Sequence, residues 1–223
     1  MVTLRQDGEV FVLDLGDDEN RFSPKWLSQV ETYLDVVEHT EGERALVTCA
    51  TGKYFSNGLD LAWLGQHLDE YDRYLERVHA LFERFLTLPF VTVAACQGHT
   101  YAAGAMLSLA HDIRVMRSDR GFWCLPEASL RMPFTPGMSA LIRSRLTPQT
   151  AHRAMVTGQR YGGADAAAAG IVDYAVDEDD VLPAALGLAA GHQQLAGDNL
   201  GAIKAEMYAP VVAALTGALT PVE

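Results

Sequence analysis

Cysteine is scarce in this 223-residue chain: Cys49, Cys96 and Cys124 stand far apart, and none belongs to a CxxC pair. That argues against a zinc site or a disulfide framework, and the odd count fits a reducing compartment. Each cysteine sits in an apolar run and reads as a small buried hydrophobe. Basic residues are also few, 17 Lys and Arg against 29 Asp and Glu, giving a formal net charge of −12 without any basic run. A nucleic-acid partner needs a basic stripe, so none is expected. An anionic small molecule is still compatible with this charge if a few basic groups or helix N-termini line its pocket.

Long hydrophobic runs are absent too. No stretch approaches the roughly 18–20 apolar residues of a membrane span, and MVTLRQDGEV does not read as a signal peptide. The expectation is a cytoplasmic protein with no membrane partner. There is no G-x-S-x-G elbow to complete a triad with His111 and Asp112. The histidines show no metal-ligand spacing, the acidic stretch 177–180 (DEDD) reads as a solvated helix start, and no metal is expected.

What remains is ordinary globular material, 49% hydrophobic and 21% charged. A chain of this length buries roughly 70% of its unfolded surface and needs no staple. It suits one domain, with or without a small helical appendage. Residues 2–6 and 10–15 flank Asp7-Gly8, a hairpin signal. Ser23 with Pro24 starts a helix running to about 39, followed by a buried strand over 44–49. Residues 51–63 read as a loop turning into a helix. From 68 to 88 apolar residues recur at three- and four-residue steps, predicting a long amphipathic helix ended by Pro89. A buried strand over 90–96 leads to a small-residue turn at 102–104, a short helix to 110, and strands at 112–116 and near 121–125. Helices are expected at 137–146, 148–157, 163–169, 179–196 and 199–208, with a strand at 171–176. Strands alternate with helices and then give way to them, so the class is α/β.

Four segments resemble, in order and spacing, the blocks of the crotonase (enoyl-CoA hydratase/isomerase) superfamily. Residues 55–61 (FSNGLDL) are similar to F-x-x-G-x-D-[LI]. Residues 98–104 (GHTYAAG), followed by Asp112-Ile113, are similar to N-G-x-x-x-G-G-G…C-D-[IV]. Residues 125–130 (LPEASL) are similar to P-E-x-x-[LI]-G, and Gly158 with 164–172 is similar to a fourth block. Alone, the first could be a plain turn, the second a close helix–strand packing point, and Glu127 an exposed loop acid. Together they cover nearly the whole chain, most weakly after about 178. The stretch from Tyr54 to Trp63 and the GH-x-x-AAG block are similar to plant-type monofunctional isomerases.

The resemblance implies a spiral of ββα repeats over 1–178 that carries an acyl-CoA site, with a C-terminal helical region over 179–223. It also implies a homotrimer or dimer of trimers and no cofactor beyond the coenzyme A of the substrate. Reactions of the family pass through a thioester enolate. Its oxygen would be held by the backbone N–H groups of Leu59 and Ala103, with Gly58 letting the loop approach and the α-helix opened by Ala103 adding its dipole. Glu127, in an apolar setting that raises its pKa, would be the base. Phe55, Ser56, Asn57, Gly58, Asp60, Leu61, Gly104 and Met106 are the expected substrate-binding positions. Hydratases of the family carry a second glutamate where this chain has Met106, and Met cannot activate water. The isomerase branch is therefore expected, with a hydratase, an acyl-CoA hydrolase or a weakly catalytic acyl-CoA-binding homologue as alternatives. Arg131 stands where the pattern has glycine; it reads either as a surface residue or as a ligand for a polar acyl group or phosphate. Met138-Ser139 replaces a Gly-Gly pair.

Overall fold

Gly8, at φ +60°, turns the chain between two antiparallel strands, β1 (Thr3–Asp7) and β2 (Val10–Asp14). The computed structural model describes residues 1–219. Ser23 accepts a hydrogen bond from the Trp26 N–H and caps α1 (Pro24–Glu38), with Pro24 at its first position. The apolar run 45–49 becomes β3 (Ala45–Cys49), buried at every residue.

A repeating unit follows. Each long strand passes into a short strand of a second sheet and then into helix. β3 leads to β4 (Tyr54–Ser56), the short α2 (Leu61–Leu64) and the long α3 (Tyr71–Thr87), which is preceded by a 3₁₀ turn at Leu68–Glu70. Next, β5 (Val91–Cys96) leads to β6 (His99–Tyr101) and α4 (Ala103–Ala110). Then β7 (Ile113–Arg117) leads to β8 (Trp123–Cys124) and a run of helices: α5 (Glu127–Leu130), α6 (Pro136–Arg145), α7 (Pro148–Thr157) and α8 (Gly163–Ala168). The last strand, β9 (Tyr174–Val176), precedes α9 (Val181–Ala190) and α10 (Asp198–Leu215).

The large sheet runs β1-β2-β3-β5-β7-β9 and is parallel from β2 onward; the small one runs β4-β6-β8 and is parallel throughout. This is the ββα spiral that the resemblance implies. One face of the large sheet packs on the main core of α1, α3, α4 and α6; the other face is covered by Val181, Ala185 and Ala189 of α9. In α10 the buried positions Lys204, Tyr208, Val211 and Leu215 share one helical face. The part of the 179–223 region beyond 219 lies outside the described residues. Among the described residues, no helix is long and apolar enough to cross a membrane.

Three details differ from the sequence reading. Residues 54–56, expected in a loop, and 99–101, to which no element is assigned above, are strands of the small sheet. The helix expected over 179–196 stops at Gly191 and resumes only as a 3₁₀ turn, Gln193–Leu195. The final helix passes through Pro210 and ends at Leu215 instead of 208. All three cysteines are free and buried, and burial pushes the thiols of Cys49 and Cys96 up to about 12.

Candidate active site

The two glycine-containing blocks meet because β4 and β6 are neighbours in the small sheet. Gly58, at φ +76°, sits against the start of α4: a Cβ there would stand 2.6 Å from the Ala103 nitrogen. Gly104 lies equally close to Ser56, whose carbonyl oxygen would be 2.5 Å from an added Cβ. Side chains are excluded at both contacts, so two backbone segments approach each other directly.

A cavity of about 270 Å³ opens beside this junction, lined by Asn57, Leu59 and Leu61 from the first block and Tyr101, Ala102, Ala103 and Met106 from the second. Leu75 and Tyr71 of α3, Pro126 and Glu127 of the third block, and Leu130, Met132, Thr135 and Met138 beyond it complete much of the wall. Arg21, paired with Glu19 at 2.6 Å, adds a cation to the lining. Among the described residues, neither the Leu59 N–H nor the Ala103 N–H donates to a protein acceptor.

Ala102 carries visible strain. Its φ of +51° and ψ of −127° fall in a region that glycine favours, and the family pattern quoted above has glycine at this position. This kink reverses the chain between β6 and α4. Arg131 repeats the theme: it caps α5 at φ +57°, ψ +36°, again where the pattern has glycine. Its side chain is exposed and is not part of the cavity wall.

Glu127 opens α5 and is only 7% exposed. Its Oε2 has no hydrogen-bond partner, and burial raises the carboxyl to about pH 7 from its ordinary value near 4.5. It is the sole carboxylate in the cavity wall among the described residues. Met106, buried like the rest of α4, lines the same cavity.

The remaining expected positions lie behind the wall. Phe55 is wholly buried in the main core. The Ser56 hydroxyl donates to the Asn20 carbonyl and accepts from the Gly58 N–H. Asp60 accepts from the Trp63 N–H, capping α2, while its own N–H donates to the Tyr74 hydroxyl. These contacts shape the loop and leave Asp60 outside the cavity lining. Sequence reasoning missed Asn20, Tyr74 and Thr135. Thr135 lies just past the third block, Tyr74 on α3 and Asn20 well before the first block, and no motif marks any of them. His111 is buried between the Leu107 carbonyl and the Thr48 hydroxyl, and desolvation lowers its pKa to about 4. It has no path to chemistry.

The family model described as enoyl-CoA hydratase/isomerase matches residues 6–220. The chain belongs to the enoyl-CoA hydratase/isomerase family. It is 34% identical to the Arabidopsis thaliana protein named enoyl-CoA delta isomerase 2, peroxisomal, over 93% of this chain and 92% of that one. It is also 34% identical to enoyl-CoA delta isomerase 3 of the same plant, over 95% and 90%. The crystal structure of human mitochondrial delta3-delta2-enoyl-CoA isomerase superposes with a TM-score of 0.88, at 25% identity, covering 95% of this chain and 84% of that one. The ββα spiral is thus the fold of the family.

Proposed function

We propose that this member of the enoyl-CoA hydratase/isomerase family is a Δ3-Δ2-enoyl-CoA isomerase working with one carboxylate. Glu127 removes a proton from C2 of a 3-enoyl-CoA, giving a dienolate, and returns it to C4. The double bond moves from C3–C4 to C2–C3, and no atom is gained or lost. While the enolate exists its oxygen accepts hydrogen bonds from the Leu59 and Ala103 N–H groups, which are already aimed and so cost no reorganisation. The dipole of α4, opening at Ala103, adds to that stabilisation. No cofactor takes part beyond the coenzyme A carried by the substrate.

The observation that carries this reading is the single acid in the wall. By the resemblance, addition of water calls for a second carboxylate at position 106; this chain has Met106 there, and that side chain lines the same cavity as Glu127. A carboxyl titrating near neutrality suits a group that must both take and return a proton. The names of the plant relatives and of the human structure support the same reaction. The trimer or dimer of trimers implied by the resemblance belongs to this proposal, and so does a cytoplasmic location.

Mass spectrometry of products from a small panel of enoyl-CoAs tests it. The reading requires conversion of a 3-enoyl-CoA to its 2-enoyl isomer without a mass increase of one water. A 3-hydroxyacyl-CoA product would point to a hydratase, free coenzyme A to a hydrolase, and no turnover to a binding homologue.

A further inference from the structure

We infer that Asn20 is a positioning residue for the oxyanion hole, bracing the loop that aims the Leu59 N–H. The inference deepens the proposed function and rests on it. Asn20 is 1% exposed and adopts a left-handed backbone, φ +48°. Its amide nitrogen lies 3.1 Å from the carbonyl oxygens of both Tyr54 and Phe55, and 3.3 Å from that of Gly16. β4 lies at an edge of the small sheet, and these bonds reach its carbonyls from a loop outside the sheet; that of Tyr54 also accepts from the Gln97 side chain at 3.2 Å. The backbone of Asn20 holds the next turn: its carbonyl accepts from the Ser56 hydroxyl at 2.8 Å, and that hydroxyl accepts from the Gly58 N–H at 3.0 Å.

The residues on either side of Asn20 extend the brace. The Glu19 carbonyl accepts from the Asn57 N–H, and the Phe22 N–H donates to the Gly58 carbonyl at 2.8 Å. This last bond fixes a direction. In a trans peptide the carbonyl and the following N–H point opposite ways, so holding the Gly58 oxygen toward Phe22 turns the Leu59 N–H away from it. Leu59 lines the cavity and its N–H has no protein acceptor among the described residues. The left-handed kink at Asn20 lets one short segment, 19–22, grip the loop at five successive residues, 54 to 58.

The amide has one uncovered atom: Oδ1 is buried with no partner. A residue serving only to fill space would avoid that penalty, whereas an amide is needed to span two strand carbonyls.

The decisive variant is Asn20→Gly, which tolerates the left-handed backbone and deletes the side-chain bonds. The expected result is a fall in kcat of at least about tenfold, part of the 10²–10³ that outright loss of a donor costs. KM for the 3-enoyl-CoA should stay within about threefold. The second readout is the infrared stretch of a carbon-13-labelled thioester carbonyl in bound butyryl-CoA, a saturated ligand that cannot react. Wild type should lower that frequency relative to solution, and Asn20→Gly should move it back. Should Asn20→Gly fail to fold, Ser56→Ala, which cuts the link between Asn20 and Gly58, must show the same return. A variant whose carbonyl frequency matches wild type overturns the inference, whatever happens to stability. If wild type itself leaves the carbonyl frequency unshifted, the oxyanion-hole reading fails, and this inference fails with it.

Discussion

The Cβ that Gly58 lacks would stand 2.6 Å from the amide nitrogen of Ala103. The two segments assigned to the oxyanion hole are therefore in backbone contact, and no other residue fits between them. Gly58→Ala adds a methyl group at this contact and forces a side chain into φ +76°. Strain of this kind costs about 1–3 kcal/mol. We expect a lowered Tm and a loss of turnover of at least about 10²-fold, because the spacing of the two donors must change. Steady-state kinetics alongside a melting curve checks both.

Glu127 makes a pair of linked predictions. Its carboxyl titrates near pH 7 because burial disfavours the charged form. In the proposed reaction the carboxylate is the active form, so kcat/KM should rise with pH through about 7 and then level off. Glu127→Gln should lower kcat by at least about 10²-fold at every pH while leaving coenzyme A binding intact.

The same shift affects stability with the opposite sign from a salt-bridged acid. Between the unfolded value near 4.5 and the folded value near 7, the folded state holds the extra proton, so stability falls as pH rises through that window. Above it the full penalty of a buried charge is present. Glu127→Gln removes that penalty, and the variant should be more stable than wild type at pH 8 by about 3 kcal/mol and nearly equal to it at pH 4. Denaturant titrations at the two pH values measure the difference.

Much of this was legible in the sequence because the proposed site is built largely from backbone. Residues 55–61 and 98–104 keep their signature because Gly58 and Gly104 must be small. Glu127 stood out as the one acid of its block. The hairpin at Gly8, the Ser23 cap and the amphipathic α3 follow from local rules. The strands β4 and β6 did not show, since three residues are too few to display an alternating pattern. The passage of α10 through Pro210 is set by packing: Tyr208, Val211 and Leu215 bury one face across the proline. Asn20 was invisible for a related reason. Its bonds run to carbonyls 34 and 35 residues away, and nothing in a polar loop announces them.

Arg131 gives a prediction about stability alone. It holds a left-handed conformation at the end of α5, where glycine would carry no Cβ strain. Arg131→Gly should raise stability by about 0.5–1 kcal/mol, seen as a Tm increase of about 1–4 °C. Turnover of a 3-enoyl-CoA should be unchanged, since the side chain lies outside the cavity wall.

The central claim is that one carboxylate in this cavity moves a proton and that Met106 leaves no means of adding water. The most direct test incubates wild type with a 2-enoyl-CoA in heavy-oxygen water and follows label at C3 by mass spectrometry. The account predicts negligible incorporation over a time in which the same enzyme sample fully equilibrates a 3-enoyl-CoA with its 2-enoyl isomer. Rapid labelling at C3 would contradict it and would mean that a group other than a second glutamate activates water.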